Sequence, residues 1–321
     1  MKSKIGIIVC YFGRLPNMFG IWKKTCEKNS EFDFLIFTDQ KVDSDEENIH
    51  VYNCSLSDVK KLAEIKLSIE KISLNTAYKL CDYKPMYGLI FADYLEKYDF
   101  WGMCDIDMVF GDLGKFITEE VLSRYEKIYQ LGHLTLYRNN NVVNKRFMSE
   151  GYCDWKYVIK TDKHCRLCER GMMEKYAKLG IEAYLSRDYA DISKIHKRFQ
   201  LSRWLVPRTE IDKHKYQLFY YENGSVYRAI WENKTIITEE FNYIHLQKRK
   251  IRVDVVNDEC FFITDNKIIP KSPGVPSKEE ILRLNPYRGM LFEMLECILY
   301  EMKTHNLLKR YLMKIRIRGN K

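Results

Sequence analysis

The amino-acid sequence predicts an α/β fold in which helices flank a mixed sheet, with a helical extension near the C-terminal end. Residues 4–10 (KIGIIVC) and 32–37 (FDFLIF) are short apolar runs with the length of buried strands. Between them, residues 18–28 have apolar side chains at helical spacing. Strand, helix and strand in this order are typical of the start of a parallel sheet.

Two helices are predicted next. Residues 57–72 carry apolar side chains at helical spacing, and Ser55 or Ser57 is available as the N-cap. Pro85 suits the first position of a following helix, because that position needs no amide hydrogen. The middle of the chain, residues 115–200, shows no clear order of elements.

An acidic pair follows a predicted buried strand at residues 100–104 (FWGMC). Open α/β sheets bind ligands at the carboxyl ends of their strands, which is where Asp105 and Asp107 come. Two such carboxylates can hold one hard cation, and that cation can neutralise the phosphates of a nucleoside diphosphate. An isolated D-x-D also arises by chance, as a solvated strand end. The motif therefore indicates a metal site only if the surrounding sequence supports one.

Local patterns in the last third of the chain predict a hairpin and two helices. Residues 216–221 and 226–231 flank an Asn-Gly dipeptide, which favours a two-residue hairpin turn. Residues 277–280 match a capping box, and residues 290–302 have a wide apolar helical face.

The net charge of +9 is concentrated at the end of the chain. Residues 302–321 contain seven basic residues and no acidic one, so the rest of the chain is nearly neutral. A neutral body argues against a nucleic-acid partner. The apolar helix and the basic tail predict peripheral contact with an anionic membrane. The alternative is a packed terminal helix with a frayed cationic end.

The ten cysteines lie mostly in apolar stretches and are typical of buried thiols in a reducing compartment. The first apolar run meets Gly13 and Arg14 too early for a signal peptide, and no stretch approaches the length of a membrane span. We therefore expect a cytoplasmic protein, in contact with the inner face of the cell membrane if the tail binds there. Cys165 and Cys168 form a single C-x-x-C, which is weak evidence for zinc.

Residues 76–113 (TAYKLCDYKPMYGLIFADYLEKYDFWGMCDIDMVFGDL) join a predicted helix to the acidic pair. This block resembles a family of bacterial glycosyltransferase-like proteins associated with surface polysaccharide biosynthesis, including capsule and O-antigen. The likeness continues at residues 132–134 (GHL), 190–192 (ADI) and 240–249 (EFNYIHLQKR), whereas residues 152–177 depart from the pattern. It implies a GT-A-like, Rossmann-like catalytic domain over residues 1–252 and a C-terminal extension over residues 253–321.

The resemblance implies a glycosyltransferase that moves a sugar from a nucleotide-sugar donor to a growing surface polysaccharide or a lipid-linked oligosaccharide. Asp105, Asp107 and His245 would hold Mn²⁺ or Mg²⁺, and Lys248 and Arg249 would contact the diphosphate. This assignment is chemically reasonable, because the leaving nucleoside diphosphate needs cationic stabilisation. The alternatives are a hydrogen-bonded interfacial histidine at His245 and a solvated basic turn at residues 248–250.

Three further residues are candidates for the functional site, namely Asp82, Lys84 and Asp191. Asp82 and Lys84 could contact the donor sugar or ribose, although Asp82 could instead only cap its helix. Asp191 could orient an acceptor hydroxyl or stabilise the reacting sugar, or be a structural polar residue.

The loop after the first strand could cover a nucleotide base with its aromatic side chains, or simply close the core; it consists of Tyr11, Phe12 and Gly13. A nucleotidyltransferase acting on sugar phosphates would also pair two carboxylates with a metal. Its usual glycine-rich loop is reduced here to a single glycine, which disfavours that class. A non-catalytic sugar- or nucleotide-binding protein is the third class left open.

Overall fold

The computed structural model describes residues 2–202, 214–254 and 259–304, and it shows a mixed α/β fold. The chain divides into two compact units, Met1–Asp188 (unit 1) and Tyr189–Lys321 (unit 2). The predicted catalytic domain of residues 1–252 thus includes unit 1 and the first part of unit 2. The predicted boundary at residue 252 falls inside unit 2, at the start of a short strand.

Unit 1 alternates strands with helices. Its strands are β1 (Ile5–Tyr11), β2 (Phe32–Thr38), β3 (Ile49–Asn53), β4 (Phe100–Cys104), β5 (Met108–Phe110), β6 (Lys127–Ile128) and β7 (Leu134–Arg138). Its α-helices are α1 (Phe19–Glu27), α2 (Leu56–Leu67), α3 (Leu80–Tyr83), α4 (Tyr87–Ile90), α5 (Ala92–Leu95), α6 (Leu113–Phe116), α7 (Glu119–Arg124), α8 (Trp155–Lys160) and α9 (Met172–Lys178). Three 3₁₀ turns (Ala77–Lys79, Lys84–Met86, Val143–Met148) and one π turn (Leu167–Gly171) complete it.

The main sheet of unit 1 has the strand order β3-β2-β1-β4-β7-β6. Strands β3, β2, β1 and β4 are parallel, and β7 runs antiparallel to both β4 and β6. The predicted parallel opening is therefore confirmed. Strand β4 is wholly buried and β1 and β2 nearly so, which explains why they appear in the sequence as continuous apolar runs.

The winding of this sheet reverses between β1 and β4. From β1 the chain moves outward through β2 to β3, and it then returns to the other side of β1 as β4. In open α/β sheets such a reversal opens a crevice at the carboxyl ends of the two strands, and ligands bind there. The residues that leave β1 and β4 are therefore at the edge where a ligand is expected.

Two predicted helices of unit 1 differ from the observed ones. Helix α2 starts after Ser55, whose side chain forms a capping box with Asp58, but it ends at Leu67, short of the predicted end at residue 72, because Ser68 has a left-handed φ of 53°. The helix predicted from Pro85 onward is broken into a 3₁₀ turn, α4 and α5. Pro85 lies in the first turn, where its missing amide hydrogen costs no bond, and the break comes at Phe91, which leaves helical geometry at the α4–α5 junction.

Unit 2 is built mainly on a second sheet. Its strands are β8 (Ala190–Asp191), β9 (Gln217–Glu222), β10 (Ser225–Glu232), β11 (Thr235–Phe241), β12 (Tyr243–His245), β13 (Arg252–Val253), β14 (Cys260–Ile263) and β15 (Lys267–Pro270), and its helices are α10 (Lys278–Leu284) and α11 (Met290–Thr304). The sheet order is β11-β10-β9-β14-β15-β13, antiparallel except for the parallel β13–β15 pair. Strands β8 and β12 form a separate parallel pair.

The local predictions for unit 2 are confirmed. Asn223 and Gly224 join β9 to β10 with φ values of 49° and 89°, the positive pair that a type I′ turn requires. Helix α10 starts at the predicted capping box of Ser277 and Glu280. It places Ile281 in a buried cluster with side chains of β9, β10 and β14. None of the helices in the described residues combines the length and the hydrophobicity that a membrane-spanning segment needs.

Candidate functional site

The loop that leaves β1 is fixed to the end of the neighbouring strand. Gly13 has a φ of 93°, a conformation that favours glycine, and its amide donates a 2.9 Å hydrogen bond to Oδ1 of Asp39, which follows β2. Hydrogen bonds from Gln40 and then Gly13 hold the pKa of Asp39 below its usual value. Tyr11 and Phe12 are half-buried beside this contact. Of the three predicted loop residues, Tyr11 is the last residue of β1 and Phe12 and Gly13 follow it at the edge where a ligand is expected, while their contact with a base stays a prediction.

The acidic pair occupies the short connection between β4 and β5. The amide of Asp105 donates a 3.0 Å hydrogen bond to the carbonyl of His133, which extends the pairing of β4 with β7 by one residue. Ile106 is buried, whereas Asp105 and Asp107 on either side are only partly buried. The connection is therefore anchored by its backbone and by its central side chain, with two carboxylates near the surface at the carboxyl end of β4.

Lys84 is bonded directly to this pair. Its Nζ lies 2.5 Å from Oδ1 of Asp105 and donates a second hydrogen bond of 2.7 Å to the carbonyl of Gly132. Burial disfavours the charged amine, but attraction to the Asp105 carboxylate outweighs this and raises the pKa of Lys84. Lys84 therefore stays charged, fixes the orientation of Asp105 and offsets part of the negative charge. Its predicted contact with the donor stays a prediction.

Asp82 has a different role from either reading of the sequence. It is fully buried, and it accepts hydrogen bonds from the amides of Cys165 (2.9 Å) and Leu167 (3.3 Å) and from Nζ of Lys79 (2.8 Å). The idea that Asp82 caps its own helix is wrong, because no side chain caps α3 or the 3₁₀ turn after it. Asp82 instead anchors the loop before the π turn, and its burial speaks against contact with a donor sugar.

In unit 2 the structure brings together two predicted site residues. Asp191 and His245 are in register on β8 and β12, and Nδ1 of His245 lies 2.8 Å from Oδ1 of Asp191. Gln247 donates a 2.6 Å hydrogen bond to the same oxygen. A carboxylate on Nδ1 fixes the histidine tautomer that carries its lone pair on Nε2, the nitrogen that would bind a metal. Gln247 is not among the residues predicted from the sequence, although the family-like run at residues 240–249 includes it.

The two basic residues predicted to contact the diphosphate, Lys248 and Arg249, have different surroundings after β12. The Arg249 guanidinium donates to the carbonyls of Ser193, His196 and Asp265, and burial lowers its pKa. Those contacts make Arg249 a structural clamp, and its predicted contact with the diphosphate gains no support from them. Lys248 is exposed and, like Gln247, has a positive φ (59° and 54°). Two consecutive non-glycine residues in this region form a strained turn, a feature that clusters at ligand sites.

The residues of the predicted metal site fit a hard divalent cation. Carboxylate oxygens and an imidazole nitrogen are ligands that Mn²⁺ and Mg²⁺ accept. Asp105 has a second carboxylate oxygen besides the one bonded to Lys84, and its side chain is 35% exposed. The two aspartates belong to unit 1 and His245 belongs to unit 2. That all three hold one ion stays a prediction.

Comparison with known proteins gives a family without an assigned activity. Residues 7–272 match the sequence profile described as a family of unknown function (DUF6625). No curated protein matches the chain. The matched region begins in β1 and ends just after β15, so it includes the acidic pair and the Asp191–His245 pair. Because this region is most of the 321 residues, the chain belongs to the family of unknown function DUF6625.

Proposed function

We propose that this protein is a metal-dependent glycosyltransferase of the GT-A type, which transfers a sugar from a nucleotide-sugar donor to a surface polysaccharide or a lipid-linked oligosaccharide. The observation that carries the proposal is the position of Asp105 and Asp107 at the carboxyl end of β4, beside the reversal of winding. The four parallel strands with an antiparallel β7 support the GT-A-like assignment. Ten cysteines, all free thiols, support a reducing, cytoplasmic location.

In the proposed reaction, Asp105 and Asp107 hold Mn²⁺ or Mg²⁺, and the ion supplies the charge that stabilises the leaving diphosphate. Lys84 holds Asp105 in one orientation, so the ligand is already placed before the ion arrives. The loop that Asp39 fixes after β1 lies at the same edge of the sheet and is the candidate surface for the nucleotide base.

The Asp191–His245 pair supports a positioning role for Asp191. If His245 is a metal ligand, as the family resemblance implies, Asp191 orients its imidazole and raises its basicity. The bonds from His245 and Gln247 both end on Oδ1 of Asp191, so these two partners set the orientation of its carboxylate. Asp191 would thus act through His245.

The test is calorimetric binding of a panel of nucleotide sugars and free nucleoside diphosphates, with and without Mn²⁺. The wild type is compared with Asp107→Ala and with the control Asp43→Ala, which removes a carboxylate that is 81% exposed. We expect Mn²⁺-dependent binding that Asp107→Ala abolishes and Asp43→Ala preserves. Failure of the folded protein to bind any member of the panel would refute the proposal. Turnover of a nucleoside triphosphate with a sugar phosphate would instead indicate a nucleotidyltransferase.

A further inference from the structure

Helix α11 presents an apolar stripe to solvent. Its outer face consists of six side chains that are each between 51% and 76% exposed: Met290, Leu291, Met294, Leu295, Ile298 and Leu299. Their spacing repeats every four residues, so they lie along one side of the helix. A helix that packs on its own protein would turn this stripe inward.

The polar side of α11 is the side that faces unit 2. Glu293 pairs with the guanidinium of Arg198 at 2.9 Å, and the carboxylate of Glu296 accepts from the amide of Lys197 at 3.3 Å. Glu296 is 9% exposed, and Arg198 is also nearly buried. These contacts fix the rotation of the helix about its axis. The outer face is therefore held outward by specific bonds.

The sequence that follows the outer face is strongly basic, which indicates an anionic partner. Residues 302–321 contain seven lysine and arginine residues and no aspartate or glutamate. An apolar stripe followed by a cationic run matches the surface of an anionic bilayer, which offers apolar chains beneath negative headgroups. A second copy of this chain would bring a cationic run of its own and no acidic run to meet this one.

We propose that α11 lies in the headgroup region of an anionic membrane, with its outer face among the acyl chains and the basic run on the lipid phosphates. Stable peripheral binding usually needs two such contributions, because one alone is marginal and reversible. Docking of this kind holds whether or not the protein transfers sugars. It would, however, bring the proposed active site to the surface where lipid-linked saccharides are located.

The experiment is co-sedimentation of the full chain with vesicles of phosphatidylcholine, alone or mixed equally with phosphatidylglycerol. The double variant Leu291→Glu, Leu295→Glu changes the outer face. Ile65→Glu is the matched control, because Ile65 is an aliphatic side chain on α2 that is 72% exposed. We expect the wild type and the control to bind the mixed vesicles and the double variant to bind at least about tenfold more weakly. Added salt should weaken wild-type binding.

Two results would overturn membrane docking. One is wild-type binding to mixed vesicles that is absent or equal to that of the double variant. The other is a wild-type dimer in sedimentation velocity that the double variant dissociates, since a second copy would then cover the outer face. Circular dichroism confirms that each variant is folded. Donor binding on the same variants should stay unchanged, so failure of docking and failure of the proposed activity are distinguishable.

Discussion

Lys127 is a buried amine whose protonation should make the stability of unit 1 depend on pH. It is 1% exposed on β6, donates to the carbonyl of Tyr129, and lies 5.7 Å and 5.9 Å from the ring centroids of Tyr137 and Tyr176. Burial is the main cause that lowers its pKa from 10.5 to about 7. The folded state therefore releases this proton near pH 7, whereas the unfolded chain keeps it up to about pH 10.

The sign of the effect follows from proton binding. Between pH 7 and pH 10 the unfolded state binds more protons at Lys127, so the free energy of unfolding rises with pH. Burial of the charged Lys127 amine lowers the free energy of unfolding. This loss is fully present below pH 7 and disappears above the pKa that Lys127 has in the unfolded chain. One pKa unit corresponds to about 1.4 kcal/mol, so the rise from pH 7 to pH 9 should be about 2 kcal/mol.

The perturbation is Lys127→Met, which keeps the length of the side chain and removes the titrating group. Urea unfolding, followed by tryptophan fluorescence, gives the free energy of unfolding at pH 7 and at pH 9. We expect the free energy of unfolding of the variant, taken relative to that of the wild type, to fall by about 2 kcal/mol from pH 7 to pH 9. Lys178→Met, an exposed change in the same unit, should show no such shift. A difference between wild type and Lys127→Met that does not vary with pH would show that Lys127 does not lose its proton in this range in the folded state.

Three further predictions concern the candidate site and its support. Lys84→Met should tighten Mn²⁺ binding about tenfold in calorimetry, because the loss of repulsion between the ion and the nearby ammonium outweighs the loss of the bond that orients Asp105. Weaker binding would show that orienting the carboxylate matters more. Asp191→Asn should lower Mn²⁺ affinity about 10- to 100-fold with an unchanged urea midpoint, and an unchanged affinity would rule out its positioning role. Asp82→Ala should cost about 3–5 kcal/mol in urea unfolding, because it leaves the buried ammonium of Lys79 unpaired; a small loss would contradict its anchoring role.

The sequence was informative wherever the cause of a structure is local. An apolar run specifies β4, an Asn-Gly dipeptide that tolerates two positive φ values specifies the turn at residues 223–224, and side chains three residues apart form the caps of α2 and α10. These features need no knowledge of the rest of the chain. The placement of the acidic pair after a buried strand was predictable for the same reason.

The contacts that organise the candidate site join residues that are distant in sequence. Lys84 and Asp105 are 21 residues apart, and Asp191 and His245 are 54 apart. No periodicity connects such pairs, because tertiary packing brings them together. The same applies to the helix expected from Pro85, which is divided where its short pieces pack into the core.

The hydrogen bonds that anchor the loop at residues 163–167 to Asp82 and Lys79 do not depend on the side chains of the loop residues they join. Asp82 bonds to main-chain amides of residues 165 and 167, and its partner Lys79 bonds to the main-chain carbonyl of residue 163. Nearly every amino acid supplies these groups, and among the twenty only proline lacks the amide hydrogen. Side chains in this loop can therefore diversify during evolution while its path stays fixed, which would let related proteins change specificity without redesigning the fold.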